Sequence, residues 1–301
     1  MDSGRPSRRG DDTLTHVRHL YECPMRWADL DMLGHVNNVT YVDYLQEARV
    51  DMLRIHARSQ QTDHLAEGVV VVSHQVHYVA PLMFDFSPVL VEVWVTEIRQ
   101  ASFTMAYEVF RETDGERTVH LRATSVLAPY VFATERPRRI TPEERDSLEV
   151  YLEPAATPKA TFGESHHTEL GRYPLHVRFS DVDAYGHVNN VKYFEYFQEA
   201  RVSCMGKLRQ RTDAASTPSM VVAQSDVVYR RPILFRSEPY DVYTWISRLG
   251  RTSMVMEAEI LAGEELLARA RHVMVFFDPA TERSTEPPAE LREVLAAITP
   301  G

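Results

Sequence analysis

Two stretches of the chain carry the same set of reactive side chains. The first runs Arg26-Trp27-Ala28-Asp29-Leu30-Asp31-Met32-Leu33-Gly34-His35-Val36-Asn37-Asn38-Val39-Thr40-Tyr41. The second runs Arg178-Phe179-Ser180-Asp181-Val182-Asp183-Ala184-Tyr185-Gly186-His187-Val188-Asn189-Asn190-Val191-Lys192-Tyr193. A carboxylate such as Asp31 or Asp183 can attack an electrophile directly or act as a general base. The glycine that follows lets the chain turn into a helix, whose first N–H groups point outward without partners. Those groups, around Asn37-Asn38 and Asn189-Asn190, can hold negative charge as it develops. Base and anion site therefore lie a few residues apart, twice, and no metal is required. His35 and His187 either bond the substrate or the Asp, or brace the loop. Asp29 and Asp181 read as turn or cap residues. Glu47 and Glu199 read as structural ion-pair or hydrogen-bond partners on the helix.

The elements that must position these groups recur in the same order. From Arg26 to Val50 against Arg178 to Val202, 16 of 25 positions are identical. The match continues downstream through Tyr78 and Tyr229, Pro81 and Pro232, Trp94 and Trp245, and Ala133-Thr134-Glu135-Arg136 and Ala280-Thr281-Glu282-Arg283. A unit of this length is a duplicated domain, too long for a solenoid repeat. A strand opens each copy, with Tyr21, Cys23, Met25 and Trp27 alternating against polar neighbours, as do Tyr173, Leu175, Val177 and Phe179. A helix follows, with Tyr41, Tyr44, Leu45, Ala48 and Met52 at helical spacing, matched by Tyr193, Tyr196, Phe197, Ala200 and Cys204. Asn37 or Asn38 is a natural cap. Four strands then fall near 69–79, 89–98, 103–112 and 119–132, and again near 220–230, 240–248, 253–262 and 265–277, with turns at Asp114-Gly115 and Ala262-Gly263. Thr141-Pro142-Glu143-Glu144 opens a capped helix. The expected layout is a tail over 1–13, a domain over 14–152, a linker over 153–169 and a domain over 170–298. The class is α+β, one helix and an antiparallel sheet per copy, with the two sheets side by side.

Composition narrows the function. Hydrophobic residues make up 44% and charged residues 25%, enough apolar material for a core. The formal net charge of −10 and the lack of a basic stripe argue against nucleic-acid binding. No apolar run is long enough for a membrane span, and Met1–Gly10 has no apolar signal core. Cys23 and Cys204 are the only cysteines, which suits a reducing cytoplasm rather than a disulfide framework. Other constellations are weak. His74 and His77, three apart on a strand, face opposite sides and cannot share a metal. His166-His167 reads as a linker pair without partners. Ser102 and Ser253 recur with no triad or elbow around them.

The motif Asp-x-Asp-x-x-Gly-His-Val-Asn-Asn-x-x-Tyr, opening a long helix ahead of four strands, resembles the hotdog-fold thioesterases, and most of all the 4-hydroxybenzoyl-CoA thioesterase-like acyl-CoA thioesterases. In tandem it is similar to a double hotdog, one chain standing for a hotdog dimer. The resemblance implies acyl-CoA hydrolysis, with Asp31 and Asp183 as the catalytic carboxylates, Asn37-Asn38 and Asn189-Asn190 as the turn that polarises the carbonyl, and acyl-CoA as partner. It implies no cofactor and no metal. The plant acyl-ACP thioesterases are also similar. Their catalytic Asp and His match Asp31 and His35, but their intervening Asn is Leu33 or Tyr185 here. Arg230 and Arg231, which replace Val79 and Ala80 of the first copy, are candidates for the coenzyme A phosphates, as are Arg99 and Arg251. An acyl-ACP thioesterase and a non-catalytic acyl-CoA-binding protein are the alternatives. A hotdog hydratase is disfavoured, because its loop carries a Pro absent here. Further pairing of whole chains is an open expectation.

Overall fold

The computed structural model describes residues 17–57, 65, 68–211, 219–281 and 283–300. The expected tail over 1–13 lies outside them. The first copy contains β1 (His19–Cys23), α1 (Thr40–Ala57), β2 (Val69–Tyr78), β3 (Val89–Ile98), β4 (Phe103–Thr113), β5 (Glu116–Val131), β6 (Arg136–Pro137) and α2 (Pro142–Glu149). The second contains β7 (Arg172–Leu175), α3 (Lys192–Arg209), β8 (Ser219–Tyr229), β9 (Tyr240–Leu249), β10 (Ser253–Ala262), β11 (Glu265–Asp278), β12 (Arg283–Ser284) and α4 (Ala289–Ile298). Both hairpin turns use left-handed residues, at Asp114, Gly115 and Gly263. The opening strands are shorter than the alternation predicts. β1 stops at Cys23 because Pro24 cannot donate to a ladder, and Trp27–Asp29 and Phe179–Asp181 wind into short 3-10 turns instead.

The strands form one antiparallel sheet in the order β1-β3-β4-β5-β2-β8-β11-β10-β9-β7. Its midline is the pairing of β2 with β8, from Ser73 opposite Val228 to His77 opposite Gln224. The two copies are thus fused edge to edge, giving the double hotdog. On one face, Val89, Val91, Val93 and Val95 are fully buried with Leu45, Ala48 and Met52 of α1. Each of the valine, leucine and methionine side chains contributes about 1.5–3 kcal/mol when fully buried. Phe197 and Ala200 of α3 fill the matching place in the second copy. A second apolar cluster joins Leu291 and Leu295 of α4 to Cys204, Leu208 and Phe276. The helix α4 is not among the expected elements, although Leu291, Val294, Leu295 and Ile298 carry helical spacing.

The opposite face of the sheet carries the connection between the copies. It starts at the edge of β3 beyond β1, where Leu152 bridges Val95, and the Ala155 N–H reaches Thr96 O. Further on, the Gly163 N–H donates to the Glu257 carboxylate at 3.0 Å, and the Ser165 hydroxyl to Glu259 at 2.7 Å. Glu257 and Glu259 are buried, and Arg269 neutralises both. His167 is not partnerless as expected: it lies 2.7 Å from Glu259 and stacks on Tyr243.

Candidate active site

Each motif loop is a small hairpin closed by its own aspartate. The Asp31 N–H donates to His35 O at 2.7 Å, and that of Asp183 to His187 O at 2.8 Å. Gly34 and Gly186 sit at φ +77° and +82°, and a Cβ there would meet nothing. The glycines are required by the left-handed backbone, not by lack of space. Asp31 Oδ1 accepts the N–H groups of Leu33 (2.8 Å) and His35 (3.1 Å). Asp183 Oδ1 accepts those of Tyr185 (2.8 Å) and His187 (3.3 Å). One carboxylate oxygen is thereby fixed. The other, Oδ2, takes no hydrogen bond among the described residues.

The first aspartate of each motif anchors this hairpin to its helix, as the turn-and-cap reading expects. Asp29 Oδ2 accepts the Arg26 N–H at 2.7 Å and the Tyr44 hydroxyl at 2.6 Å. Asp181 Oδ2 does the same with Arg178 (2.8 Å) and Tyr196 (2.7 Å). Burial and this bond push both phenols well above their ordinary range. The backbone repeats the clamp, with Asn37 N–H on Asp29 O and Asn189 N–H on Asp181 O.

The helix entry leaves one donor over. Asn37 Oδ1 accepts the Val39 N–H at 3.0 Å, and Asn37 O accepts that of Thr40. Asn189 serves Val191 and Lys192 identically. Among the described residues, the Asn38 and Asn190 N–H groups have no acceptor. Each copy therefore presents a carboxylate oxygen and a backbone N–H, both unengaged, on one turn of chain at the positive end of a helix.

The two asparagine side chains differ. Asn190 Nδ2 donates to Gln46 Oε1 of α1 at 3.1 Å, and its Oδ1 lies 3.2 Å from His74 Nε2. The second motif is thus held by the first copy. His74 Nδ1 pairs with the Ser125 hydroxyl at 2.7 Å, and complete burial lowers its pKa to about 3. In the other copy the types are exchanged: Ser225 stands where His74 does, and pairs with His272 of β11 at 2.9 Å. Phe132, just past β5, stacks on Tyr185 with ring centroids 3.7 Å apart and planes at 4°. It also lies 6.1 Å from the His187 ring. None of Gln46, Ser125, Phe132 and His272 is among the residues expected from the motif. The visible signal for Phe132 was its place just before the recurring Ala-Thr-Glu-Arg, where the second copy has Pro279.

Several expected site residues stand apart. The His35 and His187 imidazoles make no hydrogen bond to Asp31 or Asp183; only their backbone N–H groups do. Glu47 and Glu199 are exposed, and among the described residues neither has the expected partner. Arg230 and Arg231 open the loop whose Ile233 O and Leu234 brace Val188 and His187, so they flank the Asp183 corner. Arg231 pairs with Glu265. Arg99 pairs with Glu97, and Arg251 with Glu286, both on exposed turns. These turns lie about ten strand residues, roughly 30 Å, from the motif of their own copy. Antiparallel pairing of β2 with β8 puts them at the end where the other copy's motif opens.

A family model described as the thioesterase-like superfamily matches residues 25–150 and again 177–295. The chain is similar to the uncharacterized protein YsmA of Bacillus subtilis, 37% identical over 93 residues, which is 29% of this chain and 60% of that protein. It is also similar to the long-chain acyl-CoA thioesterase FadM of Escherichia coli, 29% identical over 131 residues, 40% of this chain and 93% of that one. Among solved structures, a putative oleoyl thioesterase from Lactobacillus plantarum superposes with a TM-score of 0.72 at 16% identity, covering 88% of this chain and 98% of the other. The 12:0-ACP thioesterase of Umbellularia californica gives 0.65 at 17%, covering 85% and 95%. At those identities the superpositions speak for the fold alone. No helix among the described residues is long and apolar enough to cross a membrane.

Proposed function

The chain belongs to the thioesterase-like superfamily, and from that premise we propose that it hydrolyses acyl-CoA thioesters to the free acid and coenzyme A. The observation that carries this is the pair of unengaged groups on each motif turn: Asp31 Oδ2 with the Asn38 N–H, and Asp183 Oδ2 with the Asn190 N–H. The thioester carbonyl lies against the N–H. Its carbon is attacked by water that gives its proton to the Asp, or by the Asp itself in a two-step route that ends in the same hydrolysis. Negative charge on the carbonyl oxygen is met by the N–H and the helix end. The C–S bond then breaks, and the departing thiolate of coenzyme A takes up the proton. His35 and His187 act on the loop through their backbone N–H groups. Arg230 and Arg231 are the cations best placed for coenzyme A at the Asp183 corner. Within the superfamily, the 4-hydroxybenzoyl-CoA thioesterase-like group is the subfamily the motif fits best, and a reducing cytoplasm is the compartment that suits its free cysteines.

The test is thiol release over a panel of acyl-CoAs, with acyl carrier protein thioesters beside them. The wild-type chain turns over CoA thioesters, and the Asp31→Asn/Asp183→Asn double variant, still folded, does not. Turnover confined to carrier-protein thioesters would replace the coenzyme A reading with the alternative one. Tight acyl-CoA binding without turnover would make this a binding protein.

A further inference from the structure

Arg49 of α1 and Arg201 of α3 hold matching places in the repeat, each ending a Gln-Glu-Ala-Arg run. Each is only 6% exposed, and each has an enclosed Nη1 without a hydrogen-bond partner. Among the described residues neither guanidinium forms an ion pair. The groups facing them are neutral: His74 and Tyr229 beside Arg49, His272 and Tyr78 beside Arg201. Burial holds both histidines uncharged and both phenols protonated. Arg201 itself is drawn down only to about 10, so it stays a cation at neutral pH.

A guanidinium buried without counter-charge is costly, and folded chains almost always supply a partner. Here the chain omits it twice, at equivalent places. The places are informative. Gln46, which accepts from Asn190, lies three residues before Arg49, about 4.5 Å along the helix. The Tyr229 hydroxyl donates to Asn190 O at 2.9 Å, and that of Tyr78 to Asn38 O at 2.8 Å. Each cation therefore stands close to the helix entry of the opposite copy, where the acyl carbonyl would be held. A carboxylate is the group that matches a guanidinium fork best.

We propose that Arg49 and Arg201 each receive a carboxylate carried on the acyl group, so that the preferred substrates are thioesters of short dicarboxylic acids rather than plain fatty acyl chains. This rests on the thioesterase reading, and the test is built to separate the two. In the kinetic arm, glutaryl-CoA is compared with pentanoyl-CoA, which has the same number of carbons. The wild type prefers the diacid thioester by about tenfold or more in kcat/KM, and the Arg49→Met/Arg201→Met variant loses that ratio. Arg→Gln replaces Arg→Met if the latter does not fold. In the binding arm, thermal unfolding of the wild-type chain is followed with glutarate, its neutral diamide and inorganic phosphate. Glutarate raises Tm by about 2 °C or more, the diamide and phosphate do not, and the arginine variants lose the effect. A wild-type preference for pentanoyl-CoA, a ratio unchanged in the variants, or equal stabilisation by phosphate overturns the proposal. If no thioester is cleaved at all, the thioesterase reading fails and the binding arm alone decides the arginine site.

Discussion

The corner built on Asp31 and the corner built on Asp183 share the hydrogen bonds that shape the loop and differ in what stands over it. At the Asp183 corner, Phe132 of the first copy lies flat on Tyr185, and Asn190 is tied to Gln46 and His74. At the Asp31 corner the residue matching Tyr185 is Leu33, the one matching Phe132 is Pro279, and the one matching His74 is Ser225. The outer faces differ as well. Over the second copy the connecting segment fills the sheet from Gly163 to His167. Over the first it leaves a cavity of about 400 Å³ beside Trp94, His77 and Arg122, whereas the cavity of about 360 Å³ in the second copy lies beside His166, Cys204 and Ile298. Duplication thus preserved the residues and hydrogen bonds of the motif loop and let their surroundings diverge.

The largest effect tests whether both corners work. The double variant Asp31→Asn/Asp183→Asn should lose about 10²–10⁴-fold in turnover, each substitution removing charge but keeping size. Each single variant should retain a share, and the inequality of the two shares measures the divergence of the corners. A double variant with near wild-type turnover would remove the aspartates from the mechanism.

Acid tests what the corners still share. Each has one buried neutral histidine, His74 or His272. An unfolded histidine titrates near 6.5, whereas folded His74 titrates near 3. Between those values the unfolded chain binds protons that the native chain refuses, so the stabilisation present above about pH 6.5 drains away as pH falls. By pH 5 the loss from His74 is about 2 kcal/mol, and His272 adds to it in the same sense. Tm measured from pH 7 to 5 should fall by several degrees, and His74→Gln should make the fall shallower. An unchanged slope would show that the exchanged His–Ser pairs do not set the acid limit.

A smaller effect isolates the aromatic stack. In the Asp31→Asn background only the Asp183 corner remains, and there Phe132→Ala should change KM by about two- to tenfold, since a stacked aromatic contact carries about 0.5–1.5 kcal/mol beyond its buried area. In the Asp183→Asn background the same substitution should be silent. Equal effects in both would mean that Phe132 acts on the fold, not on one corner. Least of all, Arg230→Ala with Arg231→Ala should raise KM for coenzyme A thioesters by about threefold at the Asp183 corner alone, an effect that added salt diminishes. Equal KM changes at both corners would detach these arginines from that site.

How far the molecule was legible from its sequence follows the range of the interactions involved. Period-two and 3.6-residue patterns are local, so the four long strands and the main helix of each copy fall where the alternation puts them. The loop was legible because it occurs twice, and because glycine and aspartate there answer to backbone demands within five residues. What sets the two corners apart is long-range. The Asn190–Gln46 contact spans 144 residues and His167–Glu259 spans 92, and both follow from the register in which β2 meets β8 and from the route of the connection. Arg49 stands out in no local pattern, because nothing in its sequence neighbours reveals that the seam closes over it.

Fusion of the copies also settles how the sheet ends. A sheet of this width has two open margins, and each is a standing invitation to pair with another chain and grow into insoluble fibres. Here the margins are β1, five residues long, and β7, four residues long with Pro174 inside it. A strand that brief offers few hydrogen bonds to a newcomer, and proline withholds one more. Among the described residues, the two rims therefore offer another copy little to pair with, which disfavours growth of the sheet from either end.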